Sequence, residues 1–352
     1  MPSHSMKALM KTRPAAGAEL CEVPIPELAS HDVLVEVRTA SICGTDLHIY
    51  NWDASMRNRI KPPLIFGHEF CGVVERVGSE VSAVRPSDFV SAEMHVACGH
   101  CLQCRVGQQH ICQNLQIIGI DRDGCFAQYV KIPESNIWPL DSAIPADYGA
   151  VLDPLGNAVH TVLAGEIAGL TVAVLGCGPI GLFALQLARA CGASAVYAVE
   201  VKQPRIQLAR QLGATVVFDP NKDDVVGAIR AATGGTGVDV VLEMSGHPQA
   251  IRQGFQILRA GGRMSLLGLP DQRVELDLVN DVIFKGITVQ GIYGRRMYDT
   301  WYRMLALLKV GALNLEPLIS ARLPLENYAQ AFALLNAGEA CKVLLYPNGL
   351  PK

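Results

Sequence analysis

Four cysteines crowd one stretch of this chain, CGHCLQCRVGQQHIC, at Cys98, Cys101, Cys104 and Cys112. The spacing C-x2-C-x2-C-x7-C admits two chemistries: a disulfide knot, or four thiolates closing a tetrahedron around a metal. Eleven cysteines, an odd number, are scattered through apolar settings such as Cys71 and Cys191, and no secretion signal opens the sequence. That usage fits a reducing cytosol with free thiols. The metal is therefore expected, as a structural zinc, because four thiolates leave no position for substrate. His100 and His110 lie inside the loop and are expected as surface histidines, the shell being already full.

A second constellation lies upstream. CGTDLH supplies Cys43, Thr45, Asp46 and His48, and GHE supplies Gly67, His68 and Glu69. A catalytic zinc takes about three protein ligands and keeps one position open. Cys43 offers a soft anionic ligand, His68 a neutral one, and Glu69 a candidate third. Each residue alone is a weak signal, a Cys or a His being more often simply packed; together, beside a nicotinamide-binding fold, they read as zinc-assisted alcohol oxidation.

That nicotinamide fold is signalled by LGCGPIG, a G-x-G-x-x-G with Gly176, Gly178 and Gly181. The motif is weak by itself. Its context raises it: it leaves the apolar run TVAVL, opens a helical pattern, and is followed by Glu200 at the tip of the next strand, about 20 residues on. Gly176 permits the tight turn, Gly178 lets backbone N–H groups approach a pyrophosphate, and Gly181 lets helix and strand pack closely. A carboxylate at Glu200 accepts hydrogen bonds from a ribose diol and repels a 2′-phosphate, so NAD is expected over NADP. Arg205 opposes this, since a nearby arginine can serve a phosphate.

The elements that must position these groups are legible from texture. The first half is rich in Gly, Pro, Cys and His, with short strand patterns at Val33, Cys71 and Phe126, and reads as a β-rich domain. Beyond Pro154, six apolar strands (from Thr171, Ala195, Thr215, Val238, Arg263 and Thr288) alternate with helical stretches including PQAIRQGFQILRAGG. This predicts a doubly wound α/β domain with a parallel sheet. The expected division is 1–155, 156–295, and a returning segment 296–352 ending in the strand KVLLYP. The opening MPSHS is set aside as an extension. A length of 352 residues favours two domains. The net charge of -3, with no basic run, argues against nucleic acid, and no apolar stretch spans a bilayer.

CGTDLHIYNWD, GHE, the cysteine loop, DPLGNAVHT, LGCGPIG, LEMSG and GIYGRRMYDTWY together resemble the threonine-oxidising family of zinc-dependent medium-chain dehydrogenases, from Met6 to about Tyr346. HIYNWD, DPLGNAVHT and GIYGRRMYDTWY carry the more specific part of the likeness. The resemblance implies a GroES-like catalytic domain, a Rossmann domain and a homotetramer, and the cysteine usage a cytoplasmic one. It implies oxidation of L-threonine to 2-amino-3-oxobutanoate with NAD, with polyols or butanediol as the nearest alternative substrates. Cys43, His68 and Glu69 then bind catalytic zinc. Thr45 and His48 form a proton relay, and Asp153 assists proton transfer or lies near the metal. NAD contacts fall at Ile180, Glu200, Arg205, Leu267, Gly268, Leu269, Ile292 and Tyr293. For the substrate carboxylate Arg295 is a candidate, against a cofactor-phosphate or surface role. His95 lines the pocket or packs. Trp52 and Trp301 are read as packing or interface residues, and Cys21, Cys71, Cys125, Cys177, Cys191 and Cys341 as buried apolar groups.

Overall fold

The chain opens as an antiparallel pair, β1 (Ser5–Lys11) and β2 (Glu19–Pro24), with Ser5 opposite Pro24 and Met10 opposite Glu19. The structure is a computed structural model that describes residues 4–351. Residues 1–3 of the MPSHS opening thus lie outside the described residues, whereas Ser5 already belongs to β1. The strand β3 (Asp32–Ser41, DVLVEVRTAS) is buried at Val33, Leu34, Val35, Val37 and Ala40. Strict alternation is lost there because side chains on both faces of β3 are buried. Helix α1 (Gly44–Asn51) follows at once, then α2 (Ala54–Arg57), β4 (Leu64–Ile65) and β5 (Glu69–Val77). After β6 (Phe89–Ala92) and β7 (His95–Val96) come α3 (Leu102–Arg105), in the cysteine loop, and β8 (Gln116–Ile117), which pairs with β7. β9 (Tyr129–Pro133), β10 (Ile137–Pro139) and α4 (Ala146–Gly149) complete this part, and α5 (Leu152–Val162) leads out of it.

The six expected parallel strands follow: β11 (Thr171–Leu175), β12 (Ala195–Val199), β13 (Val216–Phe218), β14 (Val238–Glu243), β15 (Leu258–Leu266) and β16 (Thr288–Gly291). Their order is β13-β12-β11-β14-β15-β16, all parallel, the doubly wound arrangement. α6 (Pro179–Ala190) follows β11 and α7 (Gln203–Gln211) follows β12. One expectation needs correcting: the stretch PQAIRQGFQILRAGG is helical only over Pro248–Ile257, and β15 begins at the next residue. Leu258 pairs with Val238 on β14, and the register shifts before Val240 meets Arg263.

The last strands, β17 (Ile319–Pro324) and β18 (Lys342–Tyr346), return to the first sheet, whose order is β10-β6-β5-β3-β18-β17 with β9 also on β3. The chain divides into Met1–Pro154 with Ile319–Lys352, and Leu155–Leu318. Residues 296–318 fall in the second unit, so the returning segment begins later than the sequence suggests. In the first unit Asp147 on α4 accepts from Arg322 Nε (2.6 Å) and Tyr346 Oη (2.5 Å), which ties the returning strands down. The first core gathers Phe66, Phe126 and Phe332, with Phe66 edge-on to Phe126 at 5.2 Å. The second packs Leu175, Val241, Phe255 and Met264 against the parallel sheet. Each such buried side chain contributes about 1.5–3 kcal/mol.

Candidate functional site

Two strand ends and a helix start converge in the first unit. Cys43 is the N-cap of α1, where the helix dipole favours an anion, and Asp46 Oδ2 accepts its main-chain N–H at 2.8 Å. Gly67 turns the chain with φ +91° immediately before His68; a Cβ there would meet the Phe126 ring at 2.5 Å, so the turn demands glycine. Glu69 then starts β5, opposite Ser41 at the end of β3. One ligand atom each from Cys43, His68 and Glu69 lies within 4.8 Å of the others. Asp153, 5% exposed in the first turn of α5, is outside that group, although its charge acts on His68.

The electrostatics of this cluster call for a cation. Glu69 is wholly buried; Ser41 Oγ and Lys342 Nζ both donate to its Oε2, while Oε1 has no hydrogen-bond partner. His68 Nδ1 is also without one and stands 3.8 Å from Asp46 Oδ1. Burial pushes Asp46 up to about 6, against the pull of His68. Burial alone would lower His68, but Asp46, Cys43 and Asp153 outweigh it and raise it to about 10. Lys342 is likewise raised, because Glu69 overcomes the burial penalty. A soft thiolate, an imidazole and an unsatisfied carboxylate oxygen in an acidic, buried setting fit a zinc ion with room for a further ligand.

The cysteine loop is a separate group. Cys98, Cys101, Cys104 and Cys112 bring their sulfurs within 4.8 Å of one another, with Cys101 Sγ 3.5 Å from Cys104 and 3.8 Å from Cys112. A tetrahedron with Zn–S bonds of about 2.3 Å has edges of about 3.8 Å, so the set fits zinc. All eleven cysteines are free. The main-chain N–H of Cys98 donates to Cys112 Sγ at 3.3 Å, as does that of Asn114. The Cys98 thiol is lowered to about 5, led by the His100 N–H, and Cys101 is lowered by the Cys104 N–H; burial raises Cys104 to about 12. His100 is exposed as expected, but His110 is buried in the loop, 9% exposed.

In the second unit Gly176 (φ +89°) ends β11 against Ser245, and Gly178 caps α6 with Pro179 after it. A Cβ on Gly181 would meet Gly176 O at 1.9 Å, the close helix–strand approach. A Cβ on Gly178 would meet nothing nearer than Arg205 Nη1 at 4.0 Å. An open glycine, a helix N-terminus and an arginine whose buried Nε has no hydrogen-bond partner fit a pyrophosphate. Glu200, 6% exposed, accepts from the N–H groups of Cys177 (2.9 Å), Val201 (2.7 Å) and Lys202 (2.9 Å). It therefore pins the glycine turn. The N–H groups of Leu267 and Gly268 donate to Glu243 O, Leu269 is 88% exposed, Ile292 is buried, Tyr293 is exposed, and Ile180 is half-buried.

Other residues are placed as follows. Arg295 is wholly buried and donates to Asn157 Oδ1 at 3.2 Å, with its Cδ 2.2 Å from where a Gly156 Cβ would lie; it packs its own unit. His95 is buried, bonded through Nδ1 to Glu93 Oε1 at 2.7 Å. Trp301 is buried, whereas Cys21 and Cys191 are half-buried rather than core. Sequence reasoning missed Glu243, whose buried carboxylate accepts from the Ser245 and Gly246 N–H groups, and the Lys342–Glu69 pair. LEMSG carried a signal for the first; nothing local could have shown the second, since its partners are 273 residues apart.

Residues 29–142 match the model of the alcohol dehydrogenase GroES-like domain, and residues 179–310 that of the zinc-binding dehydrogenases. The chain is 50% identical over 347 residues to L-threonine 3-dehydrogenase of Bacillus subtilis, covering 99% of this chain and all of that one. It is 46% identical to the L-threonine 3-dehydrogenase of Pyrococcus horikoshii, covering 97% and 99%. Among solved structures, a zinc-binding dehydrogenase of Sinorhizobium meliloti bound to NADP superposes with TM-score 0.90 at 34% identity, over 98% and 100% of the two chains. The 2R,3R-butanediol dehydrogenase of Bacillus subtilis does so with TM-score 0.89 at 30% identity, over 97% and 100%.

Proposed function

The chain belongs to the zinc-dependent L-threonine 3-dehydrogenases, and we infer from that membership that it oxidises L-threonine to L-2-amino-3-oxobutanoate with NAD+ as hydride acceptor. The observation that carries this reading is the 50% identity to a threonine enzyme along almost the whole chain. The butanediol enzyme shares the fold at 30%. Zinc held by these residues would supply a Lewis acid that lowers the pKa of the substrate hydroxyl, and NAD+ would supply the hydride acceptor.

The chain's own residues supply the rest. Cys43, His68 and Glu69 would hold the catalytic zinc, with Lys342 and Ser41 holding Glu69 Oε2 so that Oε1 stays available. Asp153 adds negative charge beside His68. Thr45 and His48 stand one turn apart on α1, on one helix face, and pass the hydroxyl proton outward; His48 is exposed and can release it to solvent. Gly178, Arg205 and the start of α6 receive the pyrophosphate, and Glu200 the adenosine ribose. Cys98, Cys101, Cys104 and Cys112 would hold a structural zinc.

The eleven free cysteines fit a cytoplasmic enzyme. A homotetramer is supported by β16, an edge strand in which Val289 is 41% exposed, beside Ile283 (65%) and Phe284 (78%). Sedimentation at four chain masses is expected, and a mass of one chain would refute it. The activity itself is tested by NADH formation from L-threonine, sorbitol and butanediol. Preference for L-threonine supports the reading; preference for either alternative overturns it.

A further inference from the structure

The chain doubles back under His48 by an unusual route. Helix α1 ends at Trp52, which takes the left-handed conformation (φ 57°, ψ 47°), a costly one for a bulky side chain. Lys11 supports this turn: its ammonium donates to Tyr50 O and Gly17 O and lies 5.1 Å from the Trp52 ring centroid. The turn brings Asp53 back to the helix end, where its main-chain N–H donates to His48 O at 3.2 Å and its Oδ2 accepts from His48 Nδ1. The other oxygen is held too: Oδ1 accepts from Ser55 N–H at 3.1 Å and Ser55 Oγ at 2.5 Å. A carboxylate fixed at both oxygens is aimed at one ring nitrogen. The Asp53 carboxyl is held below its usual range, the bonds from Ser55 and His48 outweighing partial burial, so it is charged at neutral pH.

We propose that Asp53 is the positioning residue of the proton relay: it fixes the His48 ring with Nδ1 protonated and leaves Nε2 as the atom that takes the proton. This rests on the relay reading of Thr45 and His48. The histidine must act as a base, and a neutral imidazole has one N–H and one acceptor nitrogen. A carboxylate on Nδ1–H decides which is which, and it stabilises the imidazolium formed when Nε2 accepts the proton. That proton then leaves Nε2 to water, while the one on Nδ1 stays; no other bond changes. The simpler role for Asp53 is to cap α2 through Ser55. Asparagine separates the two roles, because it caps a helix as well as aspartate does but carries no charge.

The experiment measures kcat, melting temperature and zinc content for Asp53→Asn, His48→Ala and the double variant. Asp53→Asn is expected to lower kcat about 10-fold, with wild-type melting temperature and zinc content. In the His48→Ala background the same change should alter kcat by less than about 2-fold, because its effect passes through the missing ring. Wild-type kcat in Asp53→Asn overturns the proposal, and so does an equal loss in both backgrounds or a loss accompanied by a lower melting temperature. Wild-type kcat in His48→Ala overturns the relay reading first, and this proposal with it.

Discussion

At the scale of single residues, Glu200 has two jobs that substitution can separate. Its carboxylate is proposed to meet the ribose diol, and it accepts the Cys177 N–H that shapes the glycine turn. Glu200→Gln removes the negative charge that disfavours a 2′-phosphate. The NADP to NAD ratio of kcat/KM is expected to rise about 10-fold or more, with a stability loss of about 1 kcal/mol from the weakened turn. Steady-state kinetics with both cofactors check this; an unchanged ratio would show that the carboxylate does not face the ribose. The ligand residues were legible because their chemistry is local: four cysteines in 15 residues, and CGTDLH and GHE as compact motifs. The burial of Arg295 was not legible: its charge reads as a surface group in sequence, yet the missing side chain of Gly156 gives its stem a buried berth.

Glycine does comparable work at the scale of elements. The turn before His68 is packed by backbone alone: a Cβ on Gly119 would lie 2.3 Å from Gly67 O, and one on Gly124 2.0 Å from it, while Gly67 itself needs a positive φ against Phe126. Gly67→Ala is expected to cost about 1–3 kcal/mol, since both the conformation and the space are refused. It should also weaken zinc retention by displacing His68, measured as metal content after dialysis beside the melting temperature. A variant of wild-type stability and full zinc content would mean the turn is not what positions the ligand. The parallel strands of the second unit were readable one by one, because burial on both faces leaves continuous apolar runs. The end of the helix before β15 was not: FQILRAGG keeps a helical apolar pattern, and pairing of Leu258 with Val238 overrides it.

For the whole molecule, two features were beyond local pattern. The return of the chain at Ile319 rather than 296 reflects packing of residues 296–318 with the second unit, which no turn signal marks. The Lys342–Glu69 pair joins β18 to the group of Cys43, His68 and Glu69, across 273 residues of sequence. Both side-chain groups that could hold a metal ion lie in the first unit. Removal of metal should therefore act twice, on stability through the four thiolates and on turnover through Cys43, His68 and Glu69. The central claim, zinc-assisted oxidation of L-threonine, is tested most directly by one titration. NADH formation from L-threonine is followed on protein freed of its labile zinc by a chelator while the loop zinc is retained, as zinc is added back. The account predicts negligible turnover at one zinc per chain and full turnover at two, with butanediol oxidised far more slowly throughout. Unchanged turnover in the depleted protein, or faster oxidation of butanediol at two zinc ions per chain, would contradict it.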